Sequence, residues 1–235
     1  MRKISILIPC YNEKKLIEKS IKLAINLKKI NKEIIIIDNG STDGSQEIIK
    51  KYINKKNFKI ILRKKNMGYG CSVKQGLKIS KYKYMYIHYS DCEYSIETCI
   101  KMYDLAEKKN LDTVFGSRLK GLSYLTLIKY LQKKPAYLGT FIFTFMYNIF
   151  YKKNFTDVIG SKMYKVKKIK NIKINHTSYL YDFSLKSILM DKKYRVEEIF
   201  TKYKPRKINS DKKIKFYHLF PIIFEILKYK LFKIY

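Results

Sequence analysis

Arginine is scarce in this sequence: 5 residues against 46 lysines. Acids are scarce too, with 19 Asp and Glu against 51 Lys and Arg, giving a formal charge of +32 over 235 residues. Such a balance invites a nucleic-acid reading. Bidentate recognition of phosphate or guanine favours Arg, however, so no nucleic-acid partner is expected. A chain crowded with Lys, Ile, Asn and Tyr equally reflects codon usage; the functional alternative is attraction to anionic lipid or phosphorylated substrates. Nine Gly and four Pro exclude collagen-like and linker-like chains. The four cysteines (10, 71, 92 and 99) form no C-x-x-C pair, which argues against a zinc ribbon or disulfide scaffold. Free thiols suit a reducing compartment such as the cytoplasm.

Long hydrophobic runs are also missing. The longest uncharged stretch, Pro135 to Tyr151, has 17 residues and includes Gly139, Thr140, Thr144 and Asn148. That is the lower edge of the transmembrane range, and the segment reads as an interfacial or core helix. The apolar run near Met1 breaks at Pro9, too short for a secretory core of roughly 7–15 residues. Residues 3–8 therefore read as a buried strand.

What is present is an alternation of strands and helices. Apolar runs at Ile4–Ile8, Glu33–Ile37, Phe58–Leu62, Tyr84–His88 and Thr113–Phe115 predict strands. Helical spacing follows at Leu16–Leu27, Gln46–Tyr52, Ser72–Ile79 and Ile96–Lys109, and again at Phe183–Met190. Continuous apolar strands are buried on both faces, as in parallel sheets. The fold class is thus α/β, a doubly wound sheet with its ligand crevice beyond the carboxyl ends of the strands. Residues 162–173, with six Lys and no acid, and the basic segment after Phe216 are less regular. Phe216–Tyr235 suits an amphipathic helix at a membrane surface.

Polar residues gather at the predicted strand ends. Asp38 follows a buried strand, where it could bind a base or ribose or simply form a turn. Asp91 and Glu93 lie two apart; in an extended segment both would face one way and could meet one Mg²⁺ or Mn²⁺. In isolation the pair equally describes a solvated turn. Cys10 reads as a small buried filler, His88 as core or crevice wall, and His176 and His218 have no evident partner.

Five segments occur in order: Ile6-Leu7-Ile8-Pro9-Cys10-Tyr11-Asn12-Glu13, Glu33 to Asp43 (EIIIIDNGSTD), Asn66-Met67-Gly68, Ser90-Asp91-Cys92-Glu93 and Gly116-Ser117-Arg118. Together they resemble the family 2 glycosyltransferases of the GT-A fold, and within them the polyprenol-phosphate sugar transferases. The resemblance is strong over residues 3–118 and weaker to about 215. It implies a GT-A domain over 1–215, with a nucleotide-sugar half (1–118), an acceptor half (119–215) containing an interfacial helix at about 124–151, and a basic tail at 216–235. It implies nucleotide-sugar contacts from Pro9, Tyr11, Glu13, Asp38, Gly68, Gly70 and Asp91, and a metal on Asp91 and Glu93. Tyr89 stands where the family's first D-x-D acid belongs. Arg118 matches a basic residue facing phosphates, and Asp157 a D-x-x-(S/G)-G segment. Glu197 or Glu198, Tyr203 and Arg206 resemble a C-terminal E-x-P-x-x-Y-x-x-R stretch that here lacks its Pro. No Q-x-x-R-W is present, so a processive synthase is not expected.

The activity implied is inverting, metal-dependent transfer from a nucleotide diphosphate sugar to a polyprenyl phosphate at the cytoplasmic face of a membrane. Asp91 and Arg118 would act on the leaving diphosphate, and Lys133, Lys134, Arg206 and Lys212 on the acceptor phosphate. The nearest alternative is a sugar-hydroxyl acceptor on a lipid-linked glycan, with Asp182 as general base; Asp182 would otherwise be a helix N-terminal acid. A non-catalytic nucleotide-sugar-binding module is the alternative of another class. Residues 152–235 carry 22 bases and 7 acids, which places excess charge in the half that meets the acceptor and suits peripheral attachment to an anionic inner leaflet. The sequence leaves open whether the chain forms a homodimer.

Overall fold

The computed structural model describes residues 1–123, 126, 137–205 and 218–232. Seven strands form one sheet in the order β3-β2-β1-β4-β6-β5-β7. They are β1 (Lys3–Cys10), β2 (Asn31–Asp38), β3 (Phe58–Leu62), β4 (Tyr84–Ile87), β5 (Thr113–Ser117), β6 (Lys162–Lys165) and β7 (Val196–Phe200). All pairings are parallel except those of β6, which runs antiparallel to both β4 and β5. The helices are α1 (Lys14–Asn26), α2 (Ser45–Lys50), α3 (Tyr69–Ile79), α4 (Thr98–Lys108), α5 (Tyr137–Tyr151), α6 (Val166–Ile169), α7 (Leu180–Asp191) and α8 (Leu219–Phe232). The predicted strands hold, each within two residues of its observed ends. Two strands are additional: β6, inside the lysine-dense segment, and β7.

The apolar runs explain the layers. Ile6, Ile8, Ile34 and Ile36 point to the side carrying α1 and α4, while Leu7, Ile35, Ile37 and Ile87 point to the side carrying α3 and α7. All eight side chains are buried, each contributing about 1.5–3 kcal/mol by leaving water. A third cluster joins α5, α7 and α8 through Phe143, Tyr147, Phe183, Ile222 and Ile226. The C-terminal helix is therefore docked on the domain rather than trailing from it. Glu225, on its inner face, pairs with His176 at 2.9 Å and accepts a 2.6 Å hydrogen bond from Ser184. His176 has a partner that the sequence did not disclose, 49 positions along the chain. Among the described residues no helix is long and apolar enough to cross a membrane.

The chain leaves β1 toward β2 and β3, then returns to place β4 on the other side of β1. This reversal opens a crevice beyond the carboxyl ends of β1 and β4. Two glycines close its far wall. A Cβ on Gly68, whose φ is +86°, would lie 2.3 Å from the Thr177 carbonyl oxygen, and a Cβ on Gly70 would lie 2.4 Å from Tyr181 Cβ. The Gly70 N–H also donates to Thr177 O at 2.6 Å. The loop before α3 is thus fused to the segment entering α7. Gly70→Ala should cost about 1–3 kcal/mol through overpacking, read as a lower denaturant midpoint. An unchanged midpoint would show that this contact relaxes freely.

Candidate active site

The loops after β1 and β2 are laced together. Asn12, at φ +52°, donates its N–H to Ser41 Oγ and accepts the Thr42 N–H. The Glu13 N–H donates to Ser45 Oγ at 3.0 Å, and the Lys14 N–H to Asp43 Oδ2 at 2.8 Å. Pro9 and Tyr11 are half-buried at this rim, and Glu13 is buried. Asp38 is fully buried. Its Oδ1 accepts from the Gly40 and Ser41 N–H groups and from Gln46 Nε2, and its Oδ2 from the Ser41 hydroxyl. Its carboxylate shapes the loop, so contact with a base would come through what it holds as well as directly. Cys10 is a buried filler, with burial and the nearby Asp38 pushing its thiol up to about 12.

The loop after β4 departs from expectation. Cys92 has φ +56°, so residues 91–93 turn rather than extend. Asp91 Oδ1 accepts the Glu93 N–H at 3.1 Å, and Glu93 Oε2 accepts the Tyr203 hydroxyl at 2.8 Å. The extended backbone expected to align Asp91 with Glu93 is absent. A run of tyrosines borders the loop instead. Tyr69 and Tyr89 stack at 6.3 Å, Tyr89 and Tyr94 meet at 5.8 Å, and Tyr94 and Tyr203 at 4.9 Å. The Arg118 guanidinium lies 5.3 Å over the Tyr203 ring. His88 sits beneath, with burial holding its imidazole down at about 4.

Two buried ion clusters lie beyond the loop after β5 and at the start of α7. Arg118 Nε and Nη2 meet the two Asp157 oxygens at 2.6 and 3.1 Å, and Nη2 also donates to Thr140. Arg118 is therefore committed to Asp157. The second cluster centres on Asp182, in the first turn of α7. Its Oδ2 lies 3.0 Å from Lys162 Nζ and 2.5 Å from Lys186 Nζ. Burial opposes ionisation of Asp182, but the two ammonium groups outweigh it and hold the carboxyl below its usual range. Burial pulls Lys186 down to about 8 despite Asp182. Lys162 is buried as well, yet Asp182 and Tyr89 more than offset that and keep it protonated. Glu198 anchors the segment carrying Asp157 by accepting from the Thr156 N–H and hydroxyl, both at 2.9 Å. Lys133, Lys134, Arg206 and Lys212 lie outside the described residues.

A family model described as Glycosyl transferase family 2 matches residues 5–173, well over half the chain. The chain belongs to the family 2 glycosyltransferases. Among curated relatives it is 36% identical over 170 residues to a cholesterol galactosyltransferase of Borreliella burgdorferi, covering 68% of this chain and 46% of that protein. It is 32% identical over 130 residues to a dolichyl-phosphate beta-glucosyltransferase of Dictyostelium discoideum, covering 49% and 39% respectively. The chain thus spans less than half of either relative. Among solved structures, S. aureus TarS 1–349 in complex with UDP-GlcNAc superposes with a TM-score of 0.58 at 19% identity, covering 96% of this chain and 66% of that one. Glucosyl-3-phosphoglycerate synthase from Mycobacterium tuberculosis, solved with Mn²⁺, UDP and phosphoglyceric acid, gives 0.63 at 13% identity, covering 88% and 72%. At these identities the superpositions show the fold, a GT-A sheet.

Mn²⁺ accompanies one of those neighbours, so a divalent ion is the natural expectation for a family 2 glycosyltransferase. The side chains here do not fit a protein-built metal centre. Tyr89 replaces an acid, Glu93 is turned to Tyr203, and among the described residues no three His, Cys, Asp or Glu converge. The buried charged residues that sequence reasoning missed are Lys162 and Lys186, hidden in a lysine-rich background. The Arg118–Asp157 pair is testable by stability. Arg118→Ala strands a buried carboxylate and should cost about 3–5 kcal/mol, with Arg118→Ala/Asp157→Ala costing less than the sum of the singles. Burial opposes the Asp157 charge, but Arg118 and backbone N–H groups lower its pKa. Its contribution to stability is therefore present above about pH 4 and is lost as pH falls through the lowered value. Denaturation of Asp157→Asn between pH 2 and 7 should lose that acid-side slope; an unaltered slope would contradict the assignment.

Proposed function

We propose that this family 2 glycosyltransferase moves a sugar, with inversion, from a nucleoside diphosphate sugar to a polyprenyl phosphate at a membrane surface. The observation that carries this reading is the state of Asp182. A general base must have an affinity for the proton it takes. Asp182 is instead a counter-ion to two lysines, with its proton affinity lowered. An acceptor phosphate is already anionic and needs no base. Its oxygen attacks the anomeric carbon, the bond from that carbon to the diphosphate oxygen breaks, and the nucleoside diphosphate departs with the electron pair. Positive groups near the departing oxygens stabilise the charge that develops there. The donor would lie along the loops after β1, β2 and β4, where Pro9, Tyr11, Glu13, Asp38 and Asp91 are gathered.

The surface supports a lipid acceptor. On α5, Leu138, Phe145 and Ile149 are exposed, and on α8, Phe220, Phe224, Leu231 and Phe232 are exposed. These helices pack on each other through their opposite faces. The apolar rim lies in the lysine-rich half, which fits an anionic leaflet, each Lys near it adding about 1 kcal/mol. The site of action is then peripheral, on the inner face. A second reading, transfer to a lipid hydroxyl, is favoured by the similarity to a cholesterol galactosyltransferase over 68% of this chain.

One double variant separates them. Asp182→Asn/Lys186→Met removes a balanced pair and leaves the local charge unchanged. UDP- and GDP-sugars are supplied with a short-chain polyprenyl phosphate or with cholesterol, and the lipid product is read by mass. Transfer to the phosphate should stay within about tenfold of wild type, about 1.4 kcal/mol of barrier. Product formed only on cholesterol, and lost in the double variant, would overturn the phosphate reading and install Asp182 as base.

A further inference from the structure

The polarity of one position in the crevice is reversed. Where the family motif implied an acid, a group that only accepts hydrogen bonds when ionised, this chain has Tyr89. Lys162 stands directly behind it. As the first residue of an antiparallel strand, Lys162 lies opposite Ile87, the last residue of β4, and Phe115, in the middle of β5. It is 2% exposed. The three hydrogens of its ammonium have three acceptors: Tyr89 Oη at 2.9 Å, Asp182 Oδ2 at 3.0 Å and Ile159 O at 3.3 Å.

Two consequences follow. Tyr89 Oη accepts from Lys162, so its own hydrogen must point elsewhere. The neighbour within reach is Tyr69 Oη at 3.3 Å, beyond the usual 2.5–3.0 Å of an O–H···O bond. Tyr89 is thereby held as a hydrogen-bond donor that lacks a good acceptor among the described residues, half-buried beside the loop that carries Asp91. The charges, moreover, are unevenly shared. Lys162 and Lys186 share one oxygen of Asp182, while Arg118 has Asp157 to itself with Glu198 beside that pair. Two buried ammonium groups on one carboxylate oxygen are unfavourable, and an arriving anion relieves them.

We propose that Lys162 is a positioning residue which fixes Tyr89 as a hydrogen-bond donor to a phosphate oxygen of the substrate, a resident cation at the position where the motif would place a metal-binding acid. This rests on the nucleotide-sugar reading above. It implies that phosphate binding here survives removal of divalent ions.

The test measures binding of UDP, GDP and farnesyl phosphate by calorimetry, each in EDTA and in Mn²⁺, to the wild-type chain, Lys162→Met and Tyr89→Phe. Melting of each ligand-free protein is recorded alongside. In EDTA the wild type should hold at least one of these ligands within about tenfold of its affinity in Mn²⁺, and both variants should lose tenfold or more of that metal-free affinity. Loss on the nucleotide assigns the contact to the donor diphosphate; loss on farnesyl phosphate assigns it to the acceptor. Lys162→Met leaves Asp182 paired one-to-one with Lys186, so its melting temperature should be unchanged or higher, whereas a merely structural lysine would lower it. Tyr89→Phe keeps Lys162 and guards against a folding failure. Wild-type binding that vanishes in EDTA, or variants that bind like wild type in EDTA, would overturn the proposal while leaving the donor reading intact. No binding of any of the three ligands, even with Mn²⁺, would overturn both.

Discussion

The carboxylate of Asp182 is the constraint on which the packing of β6 against α7 depends. It draws the first residue of β6 and the middle of α7 onto one oxygen, with Lys162 at 3.0 Å and Lys186 at 2.5 Å. Without it, two ammonium groups would face each other in a low-dielectric interior lined by Phe115, Phe183 and Tyr89. With it, the antiparallel strand β6 can sit between two parallel strands and still present a charged residue at the crevice. The cost is two ammonium groups sharing one carboxylate oxygen.

The remaining geometry holds that centre against the donor loops. Gly68 and Gly70 let Thr177 and Tyr181 approach within contact distance of the turn before α3. The tyrosine run from Tyr69 to Tyr203 continues this junction to the loop after β7 and meets Arg118 there. At the same end of α7, Ser184 and the preceding His176 fasten Glu225 of the C-terminal helix. The helix that offers Phe220 and Phe224 outward is thereby linked, through α7, to the residue that organises the site. The exposed apolar helix and the Asp182 cluster thus share one rigid element.

Much of this was legible in the sequence because it rests on local patterns. Continuous β-branched runs announced β1, β2 and β3, and turn residues after them announced the crevice. The order of five short segments announced the family. What escaped was set by contacts across the chain. The strand Lys162–Lys165 is four residues long with a lysine at each end, so its alternation is too short to register against a background of 46 lysines. Nothing local marks Lys162 and Lys186 as buried, because their partner comes from elsewhere in the fold. The turn at Asp91–Glu93 escaped for a related reason: Cys92 is left-handed, and Glu93 accepts a hydrogen bond from the distant Tyr203.

The claim that a resident cation orients substrate phosphate is tested most directly by a crystal structure of the protein with bound UDP or GDP, grown in EDTA. The account predicts ordered diphosphate density with one phosphate oxygen within about 3 Å of Tyr89 Oη and Lys162 still bonded to that hydroxyl. A diphosphate that lies away from Tyr89, with the tyrosine turned to a ribose hydroxyl or its Lys162 contact broken, would contradict it.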